Sequence, residues 1–436
     1  MNFRILCKGF IVYLSLSAQI LCAEAEFDRI WEAISERSPA LRSEVAEASA
    51  AEVRLLRANR HWLPKVSLGA GLVSTNSPNL FLFSSLGSRG LQSSDLNPSV
   101  VNFPERQSFI TGSLNVDLPI YEGGSSAASA RAAGLLQQSQ ELSKKARFNE
   151  VYADFVKQYS LVLALRKESK TISELDVKLK NLIDRYRVGS RDNPVGYSGL
   201  LGMKSLLNRL KGLASANEAE MESLMKALSI ESGLKDLELV KFRASDAVTV
   251  ASEKLQLTTQ TTGQDLRASS MRVSAQAYSE LAGAEKARWL PRVGLFATES
   301  LVSGPRNTGF SLDFGGYLQW QIFDGKNLGA YREASLRATA SDLRAEEFTE
   351  RSRISKFNSA QNLKALLGSL DLLKSSQTFT IDQTQVTEKL FRNGSVNALQ
   401  FSEVLSRRVD LIESFRIVER EVINQLCESY LMNRSE

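Results

Sequence analysis

The sequence predicts an α+β membrane protein: four amphipathic β-strands per chain joined to long antiparallel coiled-coil helices, in an internal two-fold repeat. Three observations predict it. The first is alternation in Phe310–Lys326. Phe310, Leu312, Phe314, Leu318, Trp320 and Ile322 fall on nearly every second position, with Ser311, Asp313, Gly315, Tyr317, Gln319 and Gln321 between them. Side chains on a strand point alternately to opposite faces, so one side is greasy and the other wet. The run is long enough for a tilted barrel strand of about 9–11 residues, with Phe310 and Trp320 near the two headgroup levels. The second is a three-four apolar step through Phe148, Tyr152, Phe155, Tyr159, Val162 and Leu165, then Ile172, Leu175, Leu179, Leu182 and Tyr186. That is coiled-coil spacing. The third is repetition. Trp289-Leu290-Pro291 echoes Trp62-Leu63-Pro64, and Gln321-Ile322-Phe323-Asp324-Gly325 echoes Pro119-Ile120-Tyr121-Glu122-Gly123. Phe391-Arg392-Asn393-Gly394-Ser395 echoes Tyr186-Arg187-Val188-Gly189-Ser190. Three echoes in one order mark a duplicated module.

Taken in order, residues 1–25 read as a signal peptide. Arg4 and Lys8 form the basic region, Phe10–Cys22 the apolar one, and Ala23-Glu24-Ala25 the cleavage site, so Glu26 is expected to begin the mature chain. The first repeat covers 26–230. Its opening helix is broken at Pro39 and stops before Pro64, since a residue preceding proline is pushed towards extended geometry. Strands are predicted at about 65–74 and 106–118, separated by a Ser/Asn/Pro/Gly-rich loop over Ser74–Glu105. A loop of that length is unusual within a compact domain but normal on the outer side of a membrane barrel. A long helix (125–186), a Gly turn with Asn193-Pro194, and a return helix (195–230) complete the module. A connector without clear periodicity, 231–264, leads to the second repeat, 265–436. This has a helix ending at Trp289, strands at about 292–302 and 309–322, a long helix 327–391 and a return helix 396–431.

Lengths constrain the geometry. The first long helix would span roughly 93 Å at about 1.5 Å per residue, and the two shorter helices of its module together roughly 108 Å. Each long helix therefore runs beside two shorter ones stacked end to end, with the strands at one end and the Gly turn at the other. Four strands cannot seal a barrel alone, because open edges are not tolerated in lipid and about eight strands is the practical minimum. Two copies would pool eight strands and three would pool twelve.

Composition excludes several classes. Hydrophobic residues make up 43% and charged residues 24% of the 436, and the formal net charge is +5. Lys and Arg are interspersed with acids along helical faces, so no nucleic-acid footprint stands out. No internal apolar run reaches the length of a transmembrane helix. Past the signal region only Cys427 remains, so no internal disulfide is expected. One histidine, His61, and one cysteine cannot build an ordinary zinc site. There is no phosphate-binding Gly loop and no His-Glu-x-x-His, and a Ser-His-Asp triad would have to use His61 at a helix end. No catalytic activity, cofactor or metal is expected.

In order, spacing and duplication, the Leu-Pro before a strand, the Ile322-Phe323-Asp324-Gly325 after one, and the Tyr/Phe-Arg-x-Gly-Ser turn resemble the outer-membrane efflux proteins, the TolC-like channels. The resemblance covers nearly the whole mature chain. It implies a homotrimer with a shared 12-stranded barrel in outer-membrane lipid, and a periplasmic tunnel of paired helices. The turns would form a tip that docks a periplasmic adaptor (membrane fusion protein) of an inner-membrane pump, in tripartite efflux or type I secretion. By that likeness Tyr186, Arg187, Gly189, Ser190, Phe391, Arg392, Gly394 and Ser395 form the docking tip. Gln400 and Glu403 are candidates for the pore constriction, where relatives often carry acids; only Glu403 keeps a charge. Pro64, Pro119, Gly123, Gly124, Pro291, Phe323 and Gly325 would lie at the barrel–tunnel junction. The competing expectation is a non-conducting periplasmic coiled-coil spacer or adhesin, which would need no amphipathic strands.

Overall fold

The computed structural model describes residues 26–186, 194–235, 237, 246–256 and 265–433; the signal-peptide expectation therefore lies outside the described residues. A short helix α1 (residues 26–37) is followed directly by α2 (Pro39–Asn59). The break falls where Pro39 lacks an N–H, and the Ser38 side chain accepts from Leu41 N at 3.4 Å. After α2 the chain turns, with Leu63 N donating to Arg60 O, and Pro64 opens strand β1 (Lys65–Thr75).

The remaining strands are β2 (Gln107–Glu122), β3 (Arg292–Ser303) and β4 (Thr308–Gln319). They form one antiparallel sheet in the order β1-β2-β3-β4. β2 extends past the expected end at 118. The register slips between Pro119 and Tyr121, because proline has no N–H for the ladder and Ile120 is accommodated as a bulge. β4, in contrast, stops short of 322. Trp320 turns out of the ladder, its Nε1 donating to Trp289 O at 3.0 Å. Asp324 then organises a tight turn, accepting from Lys326 N at 3.0 Å and from Asn327 Nδ2 at 2.7 Å. Trp320 and Ile322 therefore do not continue the alternation read from the sequence.

The stretch 76–106 is not the irregular loop expected. It holds α3 (Pro78–Gly87), a 3-10 turn (Ser93–Leu96) and α4 (Pro98–Asn102). Ser77-Pro78 and Asn97-Pro98 each place proline at the first helical position, where its missing N–H costs nothing. Arg306 pairs with Asp95, Arg89 donates to Phe310 O at 3.0 Å, and Phe81 and Phe109 are buried beneath.

The long helices are α5 (Ser125–Arg185, 61 residues), α6 (Pro194–Ser232), α8 (Leu266–Ala287), α9 (Ala330–Arg392, 63 residues) and α10 (Ala398–Asn433). The connector carries α7 (Ala247–Lys254). At about 1.5 Å per residue, α5 and α9 each measure roughly 90 Å. The chain divides into two compact units. One gathers Ala48–Gln140 and Ser270–Glu346, and so contains the sheet. The other gathers the described residues of Met1–Glu47, Glu141–Ser269 and Glu347–Glu436.

The second unit has two apolar clusters. In one, Phe27, Ile30 and Ile34 of α1 meet Phe155, Val156, Tyr159 and Val162 of α5 and Val422, Ile423 and Leu426 of α10. In the other, Ile172, Leu175 and Leu179 of α5 meet Met203, Leu206 and Leu210 of α6 and Phe401, Leu405 and Val409 of α10. The three-four step of α5 thus points into both clusters from Phe155 to Leu182. Phe148 is the exception: it stays exposed and packs edge-on against Trp31 at 5.4 Å. Each large side chain so buried contributes about 1.5–3 kcal/mol.

Candidate functional site

Directly opposed residues in an antiparallel sheet share a face. Val66, Leu68, Ala70 and Leu72 of β1 oppose Val116, Leu114, Gly112 and Ile110 of β2. Leu118, Val116, Leu114 and Gly112 oppose Leu295, Ala297, Glu299 and Leu301 of β3. Ala297, Glu299 and Leu301 in turn face Phe314, Leu312 and Phe310 of β4. This is a continuous apolar face interrupted by Glu299, and it is bare: Leu68, for example, is 82% exposed. The opposite face carries Ser67, Gly69, Ser113, Asn115, Asp117, Thr298, Ser300, Ser311 and Asp313. Two of its glycines are covered by rings, Tyr317 over Gly294 and Phe296 over Gly315. Among the described residues no further strand pairs with the edges of the sheet, β1 and β4.

Most of the predicted junction residues sit where helix and strand connect, all at one end of the sheet, where Lys65 lies opposite Asp117 and Arg292 opposite Glu122 and Gln319. Pro64 and Pro291 each precede a strand. Gly123 and Gly124 have φ of 69° and 85°, a region that costs an L side chain strain, and a Cβ on Gly123 would also collide with Ala287 O. Pro119 sits at the bulge. Phe323 is exposed beside the Asp324 turn, and Gly325 has open space where a Cβ would stand.

At the other predicted site, Arg187, Gly189 and Ser190 lie outside the described residues. Tyr186 stacks on Phe391 with ring centroids 5.6 Å apart, and Phe391 stacks on Phe401 at 4.9 Å. Helix α9 ends in a Schellman motif: Ser395 N donates to Leu390 O at 2.9 Å, Gly394 N donates to Phe391 O at 3.1 Å, and Gly394 has φ 77°. Arg392 pairs with Glu388, and so does Lys178 of α5. These contacts hold Glu388 below its usual range against the opposing effect of its burial.

The constriction candidates are occupied locally. Gln400 belongs to the α10 capping box: Asn397 Oδ1 accepts from Gln400 N at 2.9 Å, and Asn397 N donates to Gln400 Oε1 at 3.3 Å. Glu403 is 64% exposed in its side chain and pairs with Arg407 at 2.8 Å one turn on. The sequence reading missed Arg209 of α6, whose guanidinium forks between Asp410 at 2.7 Å and Glu413 at 2.7 Å on α10. It also missed Gly199, where a Cβ would strike Ala398 and which lets α6 and α10 approach closely. Both partnerships join positions roughly 200 residues apart, and local pattern carries no trace of them.

Among the described residues no helix is long and apolar enough to cross a membrane, and no group of His, Cys, Asp or Glu is arranged to hold a metal ion. No known family profile matches the sequence, and no curated protein is similar to it in sequence. Solved structures do match. The outer membrane protein VceC from Vibrio cholerae is 12% identical with a TM-score of 0.76, covering 94% of this chain and 97% of its own. The open-state MtrE outer membrane channel of Neisseria gonorrhoeae is 13% identical with a TM-score of 0.76, covering 94% and 89%. The CmeC outer membrane channel of Campylobacter jejuni is 15% identical with a TM-score of 0.70, covering 94% and 88%. The fold is that of the TolC-like outer-membrane channels. The TolC-like fold here carries the bare apolar sheet face and the two sheet edges described above.

Proposed function

We propose that this chain is the outer-membrane exit duct of a tripartite efflux or type I secretion system. Three copies join β4 of one to β1 of the next, closing a 12-stranded barrel with the apolar face towards lipid and the polar face around the bore. The helices form the periplasmic extension, and the turn ends, at Tyr186–Ser190 and Phe391–Ser395, dock a periplasmic adaptor whose inner-membrane pump supplies the energy. The duct is passive and not an enzyme, and its selectivity rests on bore and lining charge. The observation that carries this reading is the four-stranded sheet with one apolar face, interrupted at Glu299, and both edges left open by the described residues. A spacer or adhesin gains nothing from such a face, which would be an aggregation site in water.

The test is fractionation followed by planar-bilayer recording. The expected result is outer-membrane protein that runs as a heat-modifiable oligomer and adds discrete conductance steps. Protein that stays in the aqueous fraction without detergent would overturn the proposal.

A further inference from the structure

One level of the helical unit holds four acids and four bases whose pairing is uneven. Both lysines there converge on the α7 N-cap: Lys167 of α5 lies 3.1 Å from Asp246, and Lys374 of α9 lies 3.5 Å from it. Both arginines, on α10, converge on Glu220 of α6: Arg420 pairs with it directly and Arg416 lies 3.6 Å away. The other two acids are less well served: Glu168 of α5 shares Arg416 with Glu220 at the longer distance, and Glu419 of α10 is the most buried of the four. The nearest cation to Glu168 is Arg416 at 3.8 Å. Glu419 is only 4% exposed, and Oε1 of each acid accepts no hydrogen bond from the described residues. Both line a cavity of about 40 Å³ with Lys167, Arg416, Thr171 and Gln377, room for a water molecule.

Where burial outweighs the pull of the nearby cations and an oxygen lacks a hydrogen-bond donor, a carboxyl favours its neutral form. We propose that this cavity is a proton-operated catch. The catch is shut when Glu168 and Glu419 carry protons. Losing them draws Arg416 away from Glu220 and a lysine away from Asp246, so that α10 repacks against α5. No bond other than O–H is broken, and the proton leaves to water. Burial pushes Glu168 up to about 7, with Arg416 opposing and Glu419 and Glu220 adding to the rise. Burial likewise raises Glu419, with Lys167 and Lys374 opposing and Asp246 adding. The folded state therefore binds protons that the unfolded chain has released. The stability these acids confer is complete below the ordinary carboxylate range and is lost as pH rises towards 7. The catch belongs to the helical unit and stands whether or not the chain conducts.

The test compares wild type with the double variant Glu168→Gln/Glu419→Gln in detergent, melted at one scan rate between about pH 4.5 and about pH 8. The wild-type midpoint should fall by several degrees across that interval, and the double variant, a mimic of the neutral pair, should lose most of that slope. Parallel slopes would overturn the proposal. Should the amides disturb folding, hydrogen exchange on wild type gives a second reading. After correction for intrinsic rates, α10 amides around Arg416–Arg420 should exchange about tenfold faster at the alkaline end. Unchanged protection there would equally overturn it.

Discussion

Placing Arg at Leu68 tests the proposal that the apolar face of the sheet meets lipid. Leu68 lies on the apolar face opposite Leu114, and it is the fourth residue of the eleven in β1. Ten steps of about 3.4 Å, tilted by about 40°, carry the strand roughly 26 Å along the membrane normal, close to the height of an apolar belt. Leu68 is two residues from the middle of the strand, so it sits about 5 Å from the midplane. Arginine there should cost about 2–3 kcal/mol per chain, the lower part of the range for a cation at mid-depth. Ser67→Arg is the control. Ser67 is the adjacent residue, opposes Asn115 on the polar face, and should cost under about 0.5 kcal/mol. The assay is denaturant titration of folding into lipid vesicles, read by heat-modifiable mobility. A larger penalty for Ser67→Arg than for Leu68→Arg would refute the assignment of faces and the barrel with it.

Further outcomes follow from particular contacts. Gly394 closes the α9 C-terminus at φ 77°, so Gly394→Ala should destabilise the chain by about 1 kcal/mol; an unchanged denaturation midpoint would count against the Schellman turn. The hydrogen bond from Arg306 holds the Asp95 carboxyl below its usual range, so the pairing is present above that range and is lost as pH falls through the depressed value. Arg306→Gln should therefore speed proteolysis within 76–106 at neutral pH, and equal cleavage rates would show that the ion pair does not hold these short helices down. Burial pushes the Cys427 thiol up to about 12, so maleimide should modify Cys427 only after denaturation. Rapid labelling of native protein would mean that α10 is not packed as described.

Local chemistry and tertiary structure divide the description between them. Alternation placed all four strands, proline and glycine placed the helix ends, and the three-four step of α5 marked the side that is buried, because each of these is decided by residues only a few positions apart. The expected β4 extension to Ile322 failed because Trp320 and the Asp324 turn offer side-chain hydrogen bonds that compete with the ladder. The short helices of 76–106 were hidden by a Ser/Asn/Pro/Gly composition that suits loops and helix starts alike.

What the sequence determined by itself is therefore the four strands and the long helices, their order, and the polarity of each strand face. Only the tertiary structure decided that β2 pairs with β3 across a gap longer than the 61-residue helix between them. Only it brought the Arg209 fork and the uneven pairing around Glu168 and Glu419 into being. The physical reason is that a charge or a strand edge finds its partner by distance in space, and hundreds of residues of chain leave that distance open until the helices have packed.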